Sequence, residues 1–153
     1  MHNLKLIAID IDESKNKRLK DFPECLPILA TFPSFYKRVG YIQPWIGYFF
    51  SNNYNEIVGA GGYKGMPKKG SVEIAYTTFK KFEGNGIGTE ICRQLVLLSK
   101  RTDSTLKITA RTLPEDNAST RILKKNGFKL MGTVHDDEDG DVWEWECKDP
   151  HPN

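Results

Sequence analysis

Three glycines, Gly84, Gly86 and Gly88, lie between a stretch that alternates like a strand and one that repeats like a helix. On the strand side, Val72, Ile74 and Tyr76 alternate with Glu73 and Ala75, the period of a pleated ribbon. Beyond the glycines, Ile87, Ile91, Leu95 and Leu98 share one helical face, with Glu90, Arg93, Gln94 and Lys100 largely on the other. This order of strand, glycine loop and helix start makes an anion site. Loop glycines let the backbone approach a ligand closely. The first amides of a helix lack internal partners, and the helix dipole favours negative charge there. Gly84 to Thr89 reads as a pyrophosphate cradle, although three glycines before a helix also make a plain tight turn. A second group with chemical potential is Glu73. A carboxylate on a central strand is costly to bury unpaired, and burial raises its pKa toward the range of a general base. The same residue also reads as a structural carboxylate bonded to neighbouring elements.

Two common phosphate loops fit poorly. A P-loop needs Lys after its last glycine, and here Gly88 is followed by Thr89 and Glu90. A dinucleotide fold wants an acidic residue ending the next strand, whereas Leu106 to Ala110 runs into Arg111.

The run VEIAY…FEGNGIGTEIC instead resembles the acetyl-coenzyme A motif of GNAT superfamily N-acetyltransferases. The later run LPEDNASTRILKKNGF resembles the following helix in the RimJ/RimL-like (ribosomal-protein-acetyltransferase-like) branch. GGYKGMP and DGDVWEWE are also similar to that branch, so the resemblance spans about Ile42 to Glu146. It implies acetyl-coenzyme A as cosubstrate and the backbone of Tyr76, Thr77 and Thr78 as the seat of the pantetheine arm. It assigns Gly84, Asn85, Gly86, Ile87, Gly88 and Thr89 to the pyrophosphate. Glu83 stands where the family often has Arg or Gln, with Lys80 or Lys81 near enough to offset its charge.

Acyl transfer from a thioester to an amine makes three demands. The amine must lose a proton, the carbonyl oxygen must be stabilised, and the leaving thiolate must be protonated or tolerated. Glu73 is the candidate base, directly or through water. The family's usual tyrosine acid corresponds to Leu123, so the resemblance points instead to Ser119, which also reads as a first-turn packing serine. Asp116 replaces a family Asn, and Asn117, one position later, is the expected substitute coenzyme contact. His135 is a base by type alone, and Cys92 reads as a small buried residue rather than a nucleophile.

The elements that must position these groups follow from the pattern. At 153 residues the chain has the size of one domain with an ample core. We expect a single domain over residues 1–149 and a frayed tail over 150–153. The fold class is α/β (α+β): a mixed, mostly antiparallel twisted sheet with helices on both faces. Leu4 to Ile11 is a first strand, and Asp12 caps a helix from Glu13 to Asp21 with lysines facing water. Phe22 to Gly40, broken by Pro23, Pro27 and Pro33, reads as irregular with a short helix at Cys25 to Thr31. Its aromatics either close the core or line an acceptor pocket of Phe32, Phe35 and Tyr36. Trp45 to Asn52 and Ile57 to Lys64 form a hairpin, and Gly59, Gly61 and Gly62 mark a bulge or close backbone approach. After the long helix come a buried strand at Leu106 to Arg111 and a helix capped by Asp116 and ended by Gly127, with Ala118, Ile122 and Leu123 inward. A hairpin of Phe128 to His135 and Asp141 to Cys147 closes the chain.

Net charge is +2, too small to argue for nucleic acid. Three scattered cysteines suggest neither a disulfide framework nor a metal site, and fit a cytoplasmic protein. Neither a leader nor a membrane span is expected. Trp143 and Trp145 on the last strand pack either into the core or against a second copy, leaving a homodimer open. The expected activity is transfer of acetyl to a primary amine of a small molecule or a protein N-terminus. The alternative is a non-catalytic acyl-coenzyme A binding or sensing protein.

Overall fold

Alternating apolar residues become strands wherever one face can be buried, and here seven of them join one sheet. A computed structural model describes residues 2–148; the expected tail at 150–153 lies outside the described residues. The strands are β1 (Lys5–Ala8), β2 (Gly47–Ser51), β3 (Ile57–Tyr63), β4 (Ser71–Thr78), β5 (Lys107–Thr112), β6 (Phe128–Asp136) and β7 (Gly140–Cys147). Their order is β1-β2-β3-β4-β5-β7-β6. Only β4 and β5 run parallel; every other neighbouring pair is antiparallel. The helices are α1 (Leu26–Val39), α2 (Ile87–Thr102) and α3 (Ala118–Lys125). This is the expected α/β architecture.

The connection between parallel strands must cross the sheet face, and α2 does so. Its stripe Ile87, Ile91, Leu95 and Val96 is buried against the sheet. At about 1.5–3 kcal/mol for each fully buried aliphatic side chain, these four contribute roughly 6–12 kcal/mol before chain entropy is subtracted. Tyr63 reaches from β3 to donate its hydroxyl to the Leu95 carbonyl at 2.6 Å. The β3 glycines explain themselves by close approach. A Cβ at Gly59 would lie 2.8 Å from Ile91 Cδ1, and one at Gly62 would strike the Ile46 carbonyl.

On the opposite face lies α1, and here the structure corrects the sequence reading. The proline-rich segment is not irregular: a 3-10 turn at Pro23–Cys25 leads into fourteen residues of helix. Pro27 sits in the first helical turn, where no donor is missed. Pro33 lies in the interior and removes the bond to the Leu29 carbonyl. Tyr36 offsets that loss. Its buried hydroxyl donates to the Ile9 carbonyl at 2.7 Å and accepts from the Gly47 amide at 3.0 Å, tying α1 to β2 and to the residue that follows β1. Phe32 and Phe35 stack edge-on beside it, with ring centroids 5.5 Å apart.

Other details shift for local reasons. The expected helix Glu13–Asp21 keeps its bounds and is of the 3-10 type, capped by Asp12, whose carboxylate accepts from the Ser14 amide. The cap of α3 is Asn117, not Asp116. Asn117 Oδ1 accepts from the Thr120 amide, and Thr120 Oγ1 accepts from the Asn117 amide, closing a reciprocal capping box. This phases α3 so that Thr120 and Leu123 face inward while Ala118 is exposed. On β7, Trp145 is 1% exposed, its indole N–H donating to Thr112 Oγ1, and Trp143 packs partly buried at the core margin.

Candidate active site

The parallel pairing of β4 with β5 runs from Ser71↔Lys107 to Ile74↔Ala110 and stops there. β4 continues to Thr78 paired only with β3, while β5 continues to Thr112 paired only with β7. The two central strands therefore splay. Phe79 donates its amide to the Val58 carbonyl across β3. Strand alternation then turns the amides of Tyr76 and Thr78 the other way, into the gap.

The glycine loop closes one side of that gap. Gly84 and Gly86 both have φ of +81°, a left-handed conformation that glycine adopts without strain. Gly86 is the N-cap of α2 and offers no side chain to it, and the Glu90 amide donates to the Gly86 carbonyl at 3.1 Å to open the helical ladder. The amides of Ile87, Gly88 and Thr89 thus have no helical acceptor. Gly88 is needed for a different reason: a Cβ there would lie 2.7 Å from Ile122 Cδ1 and 2.9 Å from Thr78 Oγ1. Its smallness lets α3 and β4 meet the start of α2.

A groove of about 450 Å³ results. Tyr76, Thr77 and Thr78 form its floor; Gly84, Gly86, Ile87, Gly88 and Thr89 form its end; and Ala118, Ser119, Arg121, Ile122 and Lys125 supply the α3 wall. Nearly all the residues expected to hold the coenzyme are thus together. Asn85 and Asn117 are not in the lining. The Asn85 carbonyl receives His2 Nε2, and the Asn117 side chain is occupied by its cap. Glu83 does line the groove. Arg121 and Lys125 were missed by the sequence reading. The signal was present, since 118, 121, 122 and 125 fall on one helical stripe.

A second, larger cleft of about 690 Å³ lies on the α1 face. Ile28, Phe32 and Phe35 of α1 wall it, Tyr48 and the bare stretch Ala60 to Gly62 pave it, and Ala75 closes it. Of the expected acceptor aromatics, Phe32 and Phe35 line this cleft and Tyr36 lies beneath it. Tyr76 and Thr77 line both the groove and the cleft, so the two spaces meet at the splay.

Glu73 lies on the cleft face of β4, two residues from Ala75 and hence about 7 Å along the strand. Its side chain is 25% exposed and pairs with Lys64 Nζ at 3.7 Å. Burial pushes its carboxyl above the ordinary range, with Lys64 and Arg111 pulling partly back. Arg111 itself is held by Asp136 at 3.2 Å and Glu144 at 3.3 Å. Ser119 is exposed on the groove wall, and its carbonyl accepts from the Tyr76 hydroxyl at 3.4 Å. Burial raises the Cys92 thiol, which suits an unreactive core residue. His135 sits on β6 beside Asp141, away from both spaces. Leu123 is fully buried.

The central parallel pair splays beside a glycine-capped helix in an α/β fold, and comparisons place that fold. The model of the acetyltransferase (GNAT) domain matches residues 28–129. The chain belongs to the GNAT acetyltransferase family, in its RimJ/RimL-like branch. A comparison with curated proteins finds no match. Among solved structures, RimL, a ribosomal L7/L12 alpha-N-protein acetyltransferase in complex with coenzyme A, is 20% identical with a TM-score of 0.68, over 94% of this chain and 93% of its own. A spermidine N-acetyltransferase SpeG chimera from Vibrio cholerae and hSSAT is 11% identical with a TM-score of 0.70, over 94% of each chain. A GNAT family acetyltransferase from Bacillus anthracis is 19% identical with a TM-score of 0.55, over 65% of this chain and 64% of its own. These likenesses show the fold.

Proposed function

We propose that this chain transfers an acetyl group from acetyl-coenzyme A to a primary amine by direct attack. The observation that carries the reading is the meeting of groove and cleft at Tyr76 and Thr77. A thioester laid along the groove and an amine entering from the cleft come together at unpaired backbone of β4. The amine nitrogen bonds to the carbonyl carbon, the carbon–sulfur bond breaks, and the thiolate takes a proton. Holding both reactants in place supplies on the order of 7–11 kcal/mol. An amide in the splay stabilises the developing oxyanion.

Glu73 takes the amine proton through a water, because it lies short of the splay by about two strand positions. Ser119 is the group on the groove wall that protonates the thiolate, since Leu123 has no proton to give. Free amides at the start of α2 hold the pyrophosphate, with Arg121 and Lys125 adding positive charge. RimL and SpeG, by their names, act on a protein N-terminus and on spermidine, both primary amines. A reducing cytoplasm fits the wide spacing and odd number of the cysteines Cys25, Cys92 and Cys147. Among the described residues no helix is long and apolar enough to cross a membrane.

The test is release of free thiol from acetyl-coenzyme A against a mixed amine panel, with Gly86→Glu as control. That substitution puts a carboxylate and a strained left-handed residue at the cradle. Release in the wild type, lost with Gly86→Glu, is the expected result; no binding of acetyl-coenzyme A by calorimetry sinks the reading. A second reading, a coenzyme sensor without turnover, draws on the buried Leu123 at the tyrosine position. Tight binding with no turnover on any amine, and no effect of Glu73→Gln, favours it.

A further inference from the structure

The larger cleft has a charge pattern that its apolar lining makes informative. Its walls and floor are Phe32, Phe35, Tyr48 and the small residues of β3. Three charged side chains reach it: Arg38, Lys64 and Glu138. They are not equivalent. Lys64 is held by Glu73 at 3.7 Å. Glu138 comes from the β6–β7 turn and stands exposed at the rim. Arg38 is exposed, sits 5.5 Å from the Phe35 ring centroid, and forms no salt bridge among the described residues. Of the other carboxylates nearby, Asp136 and Glu144 are committed to Arg111 outside the lining, and Asp137 and Asp139 stand exposed beside Glu138 on the same turn.

Within this lining Lys64 is offset by Glu73 and Glu138 stands at the rim, so Arg38 is the cation left for a ligand anion. An aliphatic or aromatic body fits the apolar wall. A single anionic group fits Arg38, whose planar fork pairs with carboxylates. Glu138 matches the incoming ammonium. Resting on the acetyltransferase reading above, we propose that the acceptor is an amphipathic amine: a primary amine on an apolar or aromatic body carrying one carboxylate, which Arg38 recognises. A polyamine carries no anion for Arg38 to pair with. This chemistry belongs equally to a free apolar amino acid and to a peptide whose apolar first residue precedes an acidic one.

The full chain with acetyl-coenzyme A is assayed by thiol release on free phenylalanine, the dipeptide amides Phe-Asp and Phe-Lys, phenethylamine and spermidine. At least one of phenylalanine and Phe-Asp is expected to exceed Phe-Lys, phenethylamine and spermidine by about tenfold or more in kcat/KM, and whichever leads names the source. In Arg38→Glu the preference falls through KM, and Phe-Lys overtakes Phe-Asp. Lys64→Gln produces a smaller change in the same direction, because that cation is already paired. Arg38 is exposed, so circular dichroism of the variant is expected to match the wild type. Spermidine as the best acceptor, a ranking indifferent to Arg38→Glu, or silence on all five with coenzyme still bound overturns the acceptor class and leaves the coenzyme site standing. Failure to bind acetyl-coenzyme A overturns the transferase reading itself.

Discussion

At the scale of single residues, Glu73 carries the sharpest pH signature. Burial raises its carboxyl pKa above the ordinary 4.5, against the pull of Lys64 and Arg111. A base works only when deprotonated, so kcat/KM should rise with pH through a pKa above 4.5, and Glu73→Gln should lower the rate and remove that acid limb. The stability sign is opposite. A carboxyl with a raised folded pKa favours the protonated fold, and this contribution is lost as pH rises through that pKa. Glu73→Gln is therefore expected to unfold at equal or higher temperature near neutrality, which separates catalytic loss from misfolding. The glycines show what sequence could and could not convey. Gly84 and Gly86 were legible as a loop because left-handed turns need them. The role of Gly88 was not, because it depends on Ile122 Cδ1 and Thr78 Oγ1 arriving from two other elements.

At the scale of elements, strands were easier to foresee than helices. Period-two alternation located β4 and β7 to within a few residues, whereas β2 and β3, buried on both faces, were legible from the turn that joins them. Only the first half of α1 was foreseen, as a short helix at Cys25 to Thr31, because three prolines outweigh propensity in any local reading, whereas Tyr36 and the aromatic wall hold the full helix through tertiary contacts. Arg121 and Lys125 were passed over because only the groove reveals which stripe of α3 faces a ligand. The dependence of α1 on Tyr36 is measurable. Tyr36→Phe leaves the buried Gly47 amide and Ile9 carbonyl without their shared partner, at a cost of about 1–3 kcal/mol in urea unfolding. Because α1 walls the cleft, the same variant should raise KM for the amine more than for acetyl-coenzyme A.

At the scale of the whole molecule, the sheet reads as two antiparallel sets joined along four paired residues on each of β4 and β5. One set, β1 to β4, comes from the first half of the chain; the other, β5 to β7, from its end. The acceptor cleft is built mainly from the first set, whereas α3, which follows β5, completes the coenzyme groove. The short seam has a consequence in hydrogen exchange. Ala75 and Thr77 lie on the β3-facing side of β4, whose amides are locked, while Tyr76 and Thr78 face the gap. In the free protein the latter two amides should exchange far faster than their immediate neighbours, a tooth pattern of fast and slow sites along a single central strand. Saturating coenzyme should slow Tyr76 and Thr78 selectively. Uniform protection along β4 in the free protein would mean that the seam stays closed until a ligand opens it.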